Sequence, residues 1–362
     1  METQSVRERF EHRGRGALNN RAGRYEPMEK HLFDDGWGTI EEGSAPLRTT
    51  LTAEKAKSII THNRSPDIAF DRSINPFRGC EHGCVYCFAR PTHAYHGLSA
   101  GLDFESRLFF KPNGPELLRQ ALAKPSYRPR PVALGINTDA YQPIERDLGL
   151  TRSLLEILSA HNHPVSLLTK STLIQRDIDL IAPMAAKGLV SVGISITTLD
   201  RTLARKMEPR AATPARRLET VARLADAGIP VAVMTAPIIP ALNDAEIENL
   251  VEAAHTAGAC RAGYVLLRLP HDLKDIFHEW LAEHFPDRAA RVINTLREMR
   301  GGADYDARWF ERGKGQGPYA RLIGQRFARV VKRLGLNQPR PPLRTDLFRA
   351  GGMGARQMQL DL

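Results

Sequence analysis

Three of the chain's four cysteines, Cys80, Cys84 and Cys87, fall within eight residues of one another in the stretch "NPFRGCEHGCVYCFARPTHAY", and an aromatic residue, Tyr86, directly precedes the third. Thiols this few and this crowded are poor material for a disulfide framework, so the spacing points to thiolate ligation in a reducing compartment. Two metal chemistries compete. Three thiolates are one short of the four that close a 4Fe–4S cluster, which would leave one iron open to bind a substrate. A zinc knuckle would instead take His82, His93 or His96 as fourth ligand, but structural zinc sites usually pair C-x2-C with a second, distant ligand pair, and the chain offers none.

The elements that must hold these thiols are legible from residue 69 onward. Apolar runs rich in β-branched residues recur as "PVALGIN" (131–137), "PVSLLTK" (164–170), "LVSVGISI" (189–196), "IPVAVMTA" (229–236) and "AGYVLLR" (262–268), each reading as a strand buried on both faces. Between them, segments 149–161, 173–187, 214–227 and 244–257 have helical spacing, with Lys-Gly or Ala-Gly pairs closing some of them. Alternating strands and helices predict an α/β fold with a parallel sheet and right-handed crossovers. With the segment leading to Cys80 as a first strand, about six βα units predict a partial, open (β/α)6 TIM-like barrel. The cysteines then sit in the first βα loop, at the carboxyl ends of the strands. A doubly wound Rossmann sheet is the alternative, yet no G-x-G-x-x-G follows the first strand. Residues 1–68 are expected to be a partly ordered N-terminal arm, 69–270 the barrel, and 271–362 a basic, helical C-terminal extension.

With 42% apolar and 25% charged residues over 362 positions, the chain is an ordinary globular protein and not a disordered one. No apolar run of about 18 residues appears to make a membrane span, and the arginine-rich start lacks the apolar stretch of a signal peptide, so a cytoplasmic location is the default. The net charge of +10 favours a polyanionic partner. Residues 301–350 hold eleven Lys or Arg against four Asp or Glu, and Arg326, Arg329 and Arg333 share one helix face, either set against phosphates or simply solvated. The fourth cysteine, Cys260, reads as an inert small core residue.

Cys80-x3-Cys84-Val85-Tyr86-Cys87 resembles the signature of the radical S-adenosylmethionine (SAM) family, in which an aromatic residue typically precedes the third cysteine. The stretches "INTDAYQPIE", "LLTKS", "VGISITTLD" and "RKMEPRAATPARRLETVARLADAGIPVAV" extend the resemblance, over about residues 70 to 270, to the spore photoproduct lyase-like branch, many of whose bacterial members are filed as DNA repair photolyases. The resemblance implies a 4Fe–4S cluster on the three cysteines and SAM chelated to the open iron. Reductive cleavage of SAM would give a deoxyadenosyl radical that abstracts hydrogen from the substrate. It further implies an electron donor such as flavodoxin or ferredoxin and a nucleic-acid substrate, DNA before RNA, with a peptide or metabolite as alternatives. By the same resemblance Lys170 meets the SAM carboxylate, Ser195 and Thr197 lie near its ribose and amino group, and Tyr86 belongs to the cofactor site. Thr138 and Asp139 are favoured over Asn137 as site residues at the end of the second strand. One departure stands out: the lyase has a hydrogen-donating cysteine near that strand's tip, and residues 131–145 contain none. Tyr86, Tyr95 or Tyr141 could return hydrogen instead, with Tyr141 the catalytic candidate. A zinc-stabilised nucleic-acid-binding protein remains the non-enzymatic alternative.

Overall fold

The structure, a computed structural model, describes residues 15–25, 47–339 and 341–350. The β-branched runs form strands β1 (Arg72–Ile74), β2 (Val132–Leu134), β3 (Val165–Thr169), β4 (Val190–Ser195), β5 (Val231–Ile238) and β6 (Arg261–Leu266). They lie side by side in sequence order, every neighbouring pair parallel. A further strand, Ile60–His62, pairs antiparallel outside β1. Among the described residues nothing hydrogen-bonds β6 back to that edge, so the barrel is partial and open. Val165, Leu167, Val190, Val192, Ile194, Val231 and Val233 are all buried, as strands covered on both faces require.

Helices α1 (Leu150–Ala160), α2 (Ile178–Ala186), α3 (Pro214–Asp226) and α4 (Ile247–Thr256) follow β2 to β5 in turn. Their apolar faces, with Leu154, Leu158, Ile181, Val221, Leu224 and Leu250, close the outer core. α2 and α3 stop where Gly188 and Gly228 take φ of 71° and 74°, a left-handed turn that side chains avoid and that aims the chain into the next strand.

The expected N-terminal arm is partly built into the sheets. Besides Ile60–His62 it supplies Thr50–Ala53, which pairs parallel with Arg107–Phe110; that strand pairs antiparallel with Phe77–Arg78. This small sheet grips both feet of the cysteine loop, which leaves at Arg78 and returns at Arg107.

After β6 come α5 (Leu273–His284), α6 (Pro286–Glu298) and α7 (Gly317–Arg333), packed around the fully buried Phe277 and Trp280. Here the reading of Arg326, Arg329 and Arg333 as a phosphate-facing triad needs correction. Arg326 Nε donates to Glu248 Oε1 at 2.8 Å, and Arg333 pairs with Glu252. Both carboxylates lie on α4, one turn apart, so two of the three guanidiniums form a seam between helices, a contact that helical spacing within α7 alone could not reveal. Beyond α7 the chain returns to the amino end of the barrel, where the Arg344 and Arg349 N–H groups donate to Gly188 O and His161 O. Phe348 packs there among Tyr127, His161 and His163.

Candidate active site

At the carboxyl ends of the strands lies a cavity open to solvent on one side. Cys80, Cys84 and Cys87 all line it from the loop side, and Asn137, Asp139, Lys170, Ser195, Met234 and Arg268 line it from the strand ends.

Residues 79–89, which carry the three thiols, form no helix or strand, so their backbone polar groups must be satisfied one by one. Arg90, fully buried, uses all five of its N–H groups: Nε on Cys84 O (2.8 Å), Nη1 on Ala100 O (3.0 Å) and Gly101 O (2.9 Å), and Nη2 on Gly83 O (3.0 Å) and the Glu105 carboxylate. Gln142 accepts from Glu81 N–H at 2.9 Å and donates to Gly79 O at 3.1 Å. Val85 N–H reaches Met207 O and Arg210 N–H reaches His82 O. The thiols are therefore presented from a fixed frame.

Burial pushes the Cys84 thiol up to about 12 and that of Cys80 well above its usual range, so in the absence of a cation both keep their protons; a bound metal is what makes a buried thiolate affordable. Among the described residues no three or more His, Cys, Asp or Glu groups converge on a site for a single ion. His93 and His96, considered as zinc ligands, do not line the cavity with the thiols: His93 Nε2 bonds Arg107 O at 2.9 Å beside Phe104, and His96 stacks on Phe109. Three thiols spread along one cavity wall fit a multinuclear cluster better than a lone zinc.

Opposite the thiols, Lys170 Nζ donates to Ser195 Oγ at 3.1 Å and lies 5.7 Å from the Tyr86 ring centre. Burial opposes its charge, but Cys84, once ionised, and the Glu208 carboxylate beside it outweigh burial and raise its pKa. Asp139 accepts from Lys170 N–H and Thr169 Oγ1, each at 2.7 Å, and from Tyr141 N–H at 2.9 Å, while His82 Nδ1 stands 3.3 Å from its second oxygen. Burial would raise this carboxyl; His82 and the donors overcome it and hold Asp139 at about 2. Asp139 thus braces β2 against β3 and fixes the root of Lys170.

Several expected site residues are placed differently. Thr138 turns from the cavity and donates to Phe77 O at 2.9 Å, and it is Asn137 that lines the wall. β2 ends at Leu134, and the turn after it does not keep the strand's alternation. Thr197 gives its hydroxyl to Glu208 at 2.7 Å and does not line the cavity. Tyr141 is buried in the outer core, where burial and the nearby Asp177 push its pKa well above the usual range; it does not reach the cavity. Tyr95 is exposed and packs on Tyr25. Only Tyr86 of the three tyrosines faces the cavity, and its hydroxyl donates to Glu208. Cys260 Sγ bonds Val231 O at 3.1 Å, at the amino end of β5.

Two residues of the candidate site, Glu208 and Arg268, had no clear signal in the sequence. Glu208, after the short helix Arg201–Met207, collects Tyr86, Thr197 and Arg217 from three different elements. Burial would raise its pKa, and the charges of Arg217 and Lys170 instead hold it at about 2. Arg268, just past β6, lines the cavity with its guanidinium 4.7 Å from the ring centre of the partly exposed Phe88.

Residues 74–254, from β1 into α4, match the Radical SAM superfamily. The chain belongs to the radical SAM superfamily. Its cofactors are accordingly a 4Fe–4S cluster and SAM. An uncharacterized protein of Mycobacterium tuberculosis is 33% identical over 314 residues, covering 84% of this radical SAM chain and 88% of that one. An uncharacterized protein of Methanocaldococcus jannaschii is 30% identical over 192 residues, 53% of this chain and 69% of the other. Among solved structures, spore photoproduct lyase complexed with dinucleoside spore photoproduct superposes with a TM-score of 0.54 at 14% identity, covering 78% of this chain and 79% of the lyase. That likeness is one of fold: an open α/β barrel.

Proposed function

We propose that this radical SAM protein holds its cluster through Cys80, Cys84 and Cys87, binds SAM against Lys170 and Ser195, and acts on a nucleic acid, damaged DNA first among the candidates. The observation that carries the reading is the arrangement of three thiols on one wall of a cavity whose facing strand ends present a charged lysine and a serine hydroxyl. Held by these residues, a reduced cluster and SAM would supply one-electron reductive chemistry, the source of a radical able to take hydrogen from a substrate C–H bond.

The chain's own side chains orient and enclose that chemistry. Lys170, kept charged and rooted by Asp139, meets the SAM carboxylate by exchanging the Ser195 hydroxyl for it. Met234, Ala236, Val265 and Leu266 form an apolar wall that keeps water from a reactive carbon. At the same cavity Arg268 has no ion pair or hydrogen bond among the described residues, and Phe88 beside it is 40% exposed. An unpaired guanidinium next to an open aromatic face suits a phosphate and the base attached to it, which favours a nucleic acid over a neutral metabolite. The electron comes from a small donor protein of the flavodoxin or ferredoxin class, and the cytoplasm is the setting.

The test is to measure deoxyadenosine formed by the reconstituted, reduced protein alone and with intact or UV-irradiated DNA, and with RNA. Stimulation by irradiated DNA supports the reading, with Arg268→Met reducing that stimulation but not basal cleavage. Equal rates with and without every nucleic acid would remove the substrate assignment.

A further inference from the structure

The segment 15–25 has no helix or strand and lies outside the residues that match the superfamily, yet it is bonded to the loop that presents the thiols. The Gly16 and Ala17 N–H groups each donate to an oxygen of Glu105 at 2.8 Å. This is the buried carboxylate that also takes Arg90, the residue whose other bonds hold Gly83 O and Cys84 O. Arg15 extends the connection, Nη1 donating to Glu105 O at 2.7 Å and Nη2 to Leu47 O at 2.7 Å and Thr49 Oγ1 at 3.2 Å. Thr49 in turn donates to Glu81, the residue after Cys80, at 2.5 Å.

The approach is close enough to demand glycine. A Cβ on Gly16 would stand 1.8 Å from Gly83 O, in the stretch between Cys80 and Cys84. Ala17 is buried in the same apolar cluster as Cys84, Val85 and Tyr86, and Leu102 N–H, at the far side of the loop, donates to Asn19 O at 3.1 Å. Five consecutive residues thus cover the outer face of the cysteine loop, while the thiols open on the cavity at its inner face.

We propose that Arg15, Gly16 and Glu105 are positioning residues for the cluster, and that residues 15–19 form a strap sealing the solvent side of the cysteine loop. The inference rests on the reading of Cys80, Cys84 and Cys87 as ligands. The potential and lability of an iron–sulfur cluster follow its solvent exposure and the hydrogen bonds around its ligands, both of which the strap controls at Gly83 and Cys84. A strap lifted from the loop lets water reach that backbone and stabilises the more highly charged reduced cluster, so the potential rises.

The full-length parent, Gly16→Ala and Arg15→Met are reconstituted anaerobically and compared for iron and sulfide per chain, rate of bleaching in air-saturated buffer, midpoint potential of the cluster, and melting temperature. Gly16→Ala wedges the strap off; Arg15→Met releases it without adding a clash, and decides alone if the first variant does not fold. The expected result is bleaching about ten-fold faster than the parent, as loss of a charge-assisted bond to the loop implies, with a more positive potential. A strap that only stabilised the fold would lower the melting temperature and leave bleaching and potential at parental values, and that result overturns the proposal. A parent that takes up no iron would remove the ligand reading itself, and the strap's role with it.

Discussion

Glu208→Gln would leave the Arg217 guanidinium, whose side chain is 2% exposed, without its counter-charge. Two routes give the cost. Breaking a buried ion pair from one side destabilises by about 3–5 kcal/mol. Independently, the fold takes Glu208 from 4.5 to about 2 against the effect of burial, a change worth about 3 kcal/mol. Because the folded value is the lower one, that stability is fully present above pH 4.5 and is lost as the pH falls toward 2. Gln keeps an acceptor for Tyr86 and Thr197 but turns an NH2 toward Arg217, so the loss comprises the charge and the Arg217 hydrogen bond together. In urea unfolding of the apo protein at pH 7 the variant should lose about 3 kcal/mol, Arg217→Met a similar amount, and the double variant far less than the two together. A loss below about 1 kcal/mol, the range of a surface pair, or additive single effects, would refute the reasoning.

Lys170→Ala should keep the cluster and weaken SAM binding about ten- to a hundred-fold, the value of one charge-assisted bond; unchanged affinity by calorimetry would show that the lysine does not meet the carboxylate. His163 donates from Nδ1 to Pro164 O at 2.9 Å and so accepts the Tyr127 hydroxyl at Nε2, at 2.7 Å, as a neutral ring whose pKa burial lowers to about 4. Its contribution, about 3 kcal/mol, is complete above pH 6.5 and disappears as the pH falls to 4, a dependence that urea midpoints should show in the parent and not in His163→Gln. For nucleic-acid binding, replacing Arg326, Arg329 and Arg333 by Gln should change the slope against log salt by about 0.9, from Arg329 alone, and not by the roughly 2.7 of three free arginines; gel shifts across salt concentrations distinguish the two.

The barrel was legible because its signals are local. Period and β-branching mark β2 to β6, helical spacing marks α1 to α4, and glycine pairs mark where helices yield to strands. The three cysteines were plain from their spacing; Lys170 and Ser195 were expected from the family resemblance and Asp139 from its place after the second strand, and all three line the cavity. What escaped depends on partners far along the chain. Glu208 acquires its role from Tyr86 and Arg217, and Arg326 loses its proposed one to Glu248, pairings that no window of sequence contains. Thr138 and Asn137 exchange places because a turn, not a strand, sets their directions. Residues 15–19 look featureless because their bonds run from backbone N–H groups to a carboxylate about ninety positions away.

Metal and sulfide analysis after anaerobic reconstitution of the parent and of Cys87→Ala decides whether Cys80, Cys84 and Cys87 hold a 4Fe–4S cluster. About four irons and four sulfides per parent chain are expected, with a large loss of both in the variant. One zinc per chain with no iron or sulfide, or an iron content that Cys87→Ala leaves unchanged, would contradict that ligation.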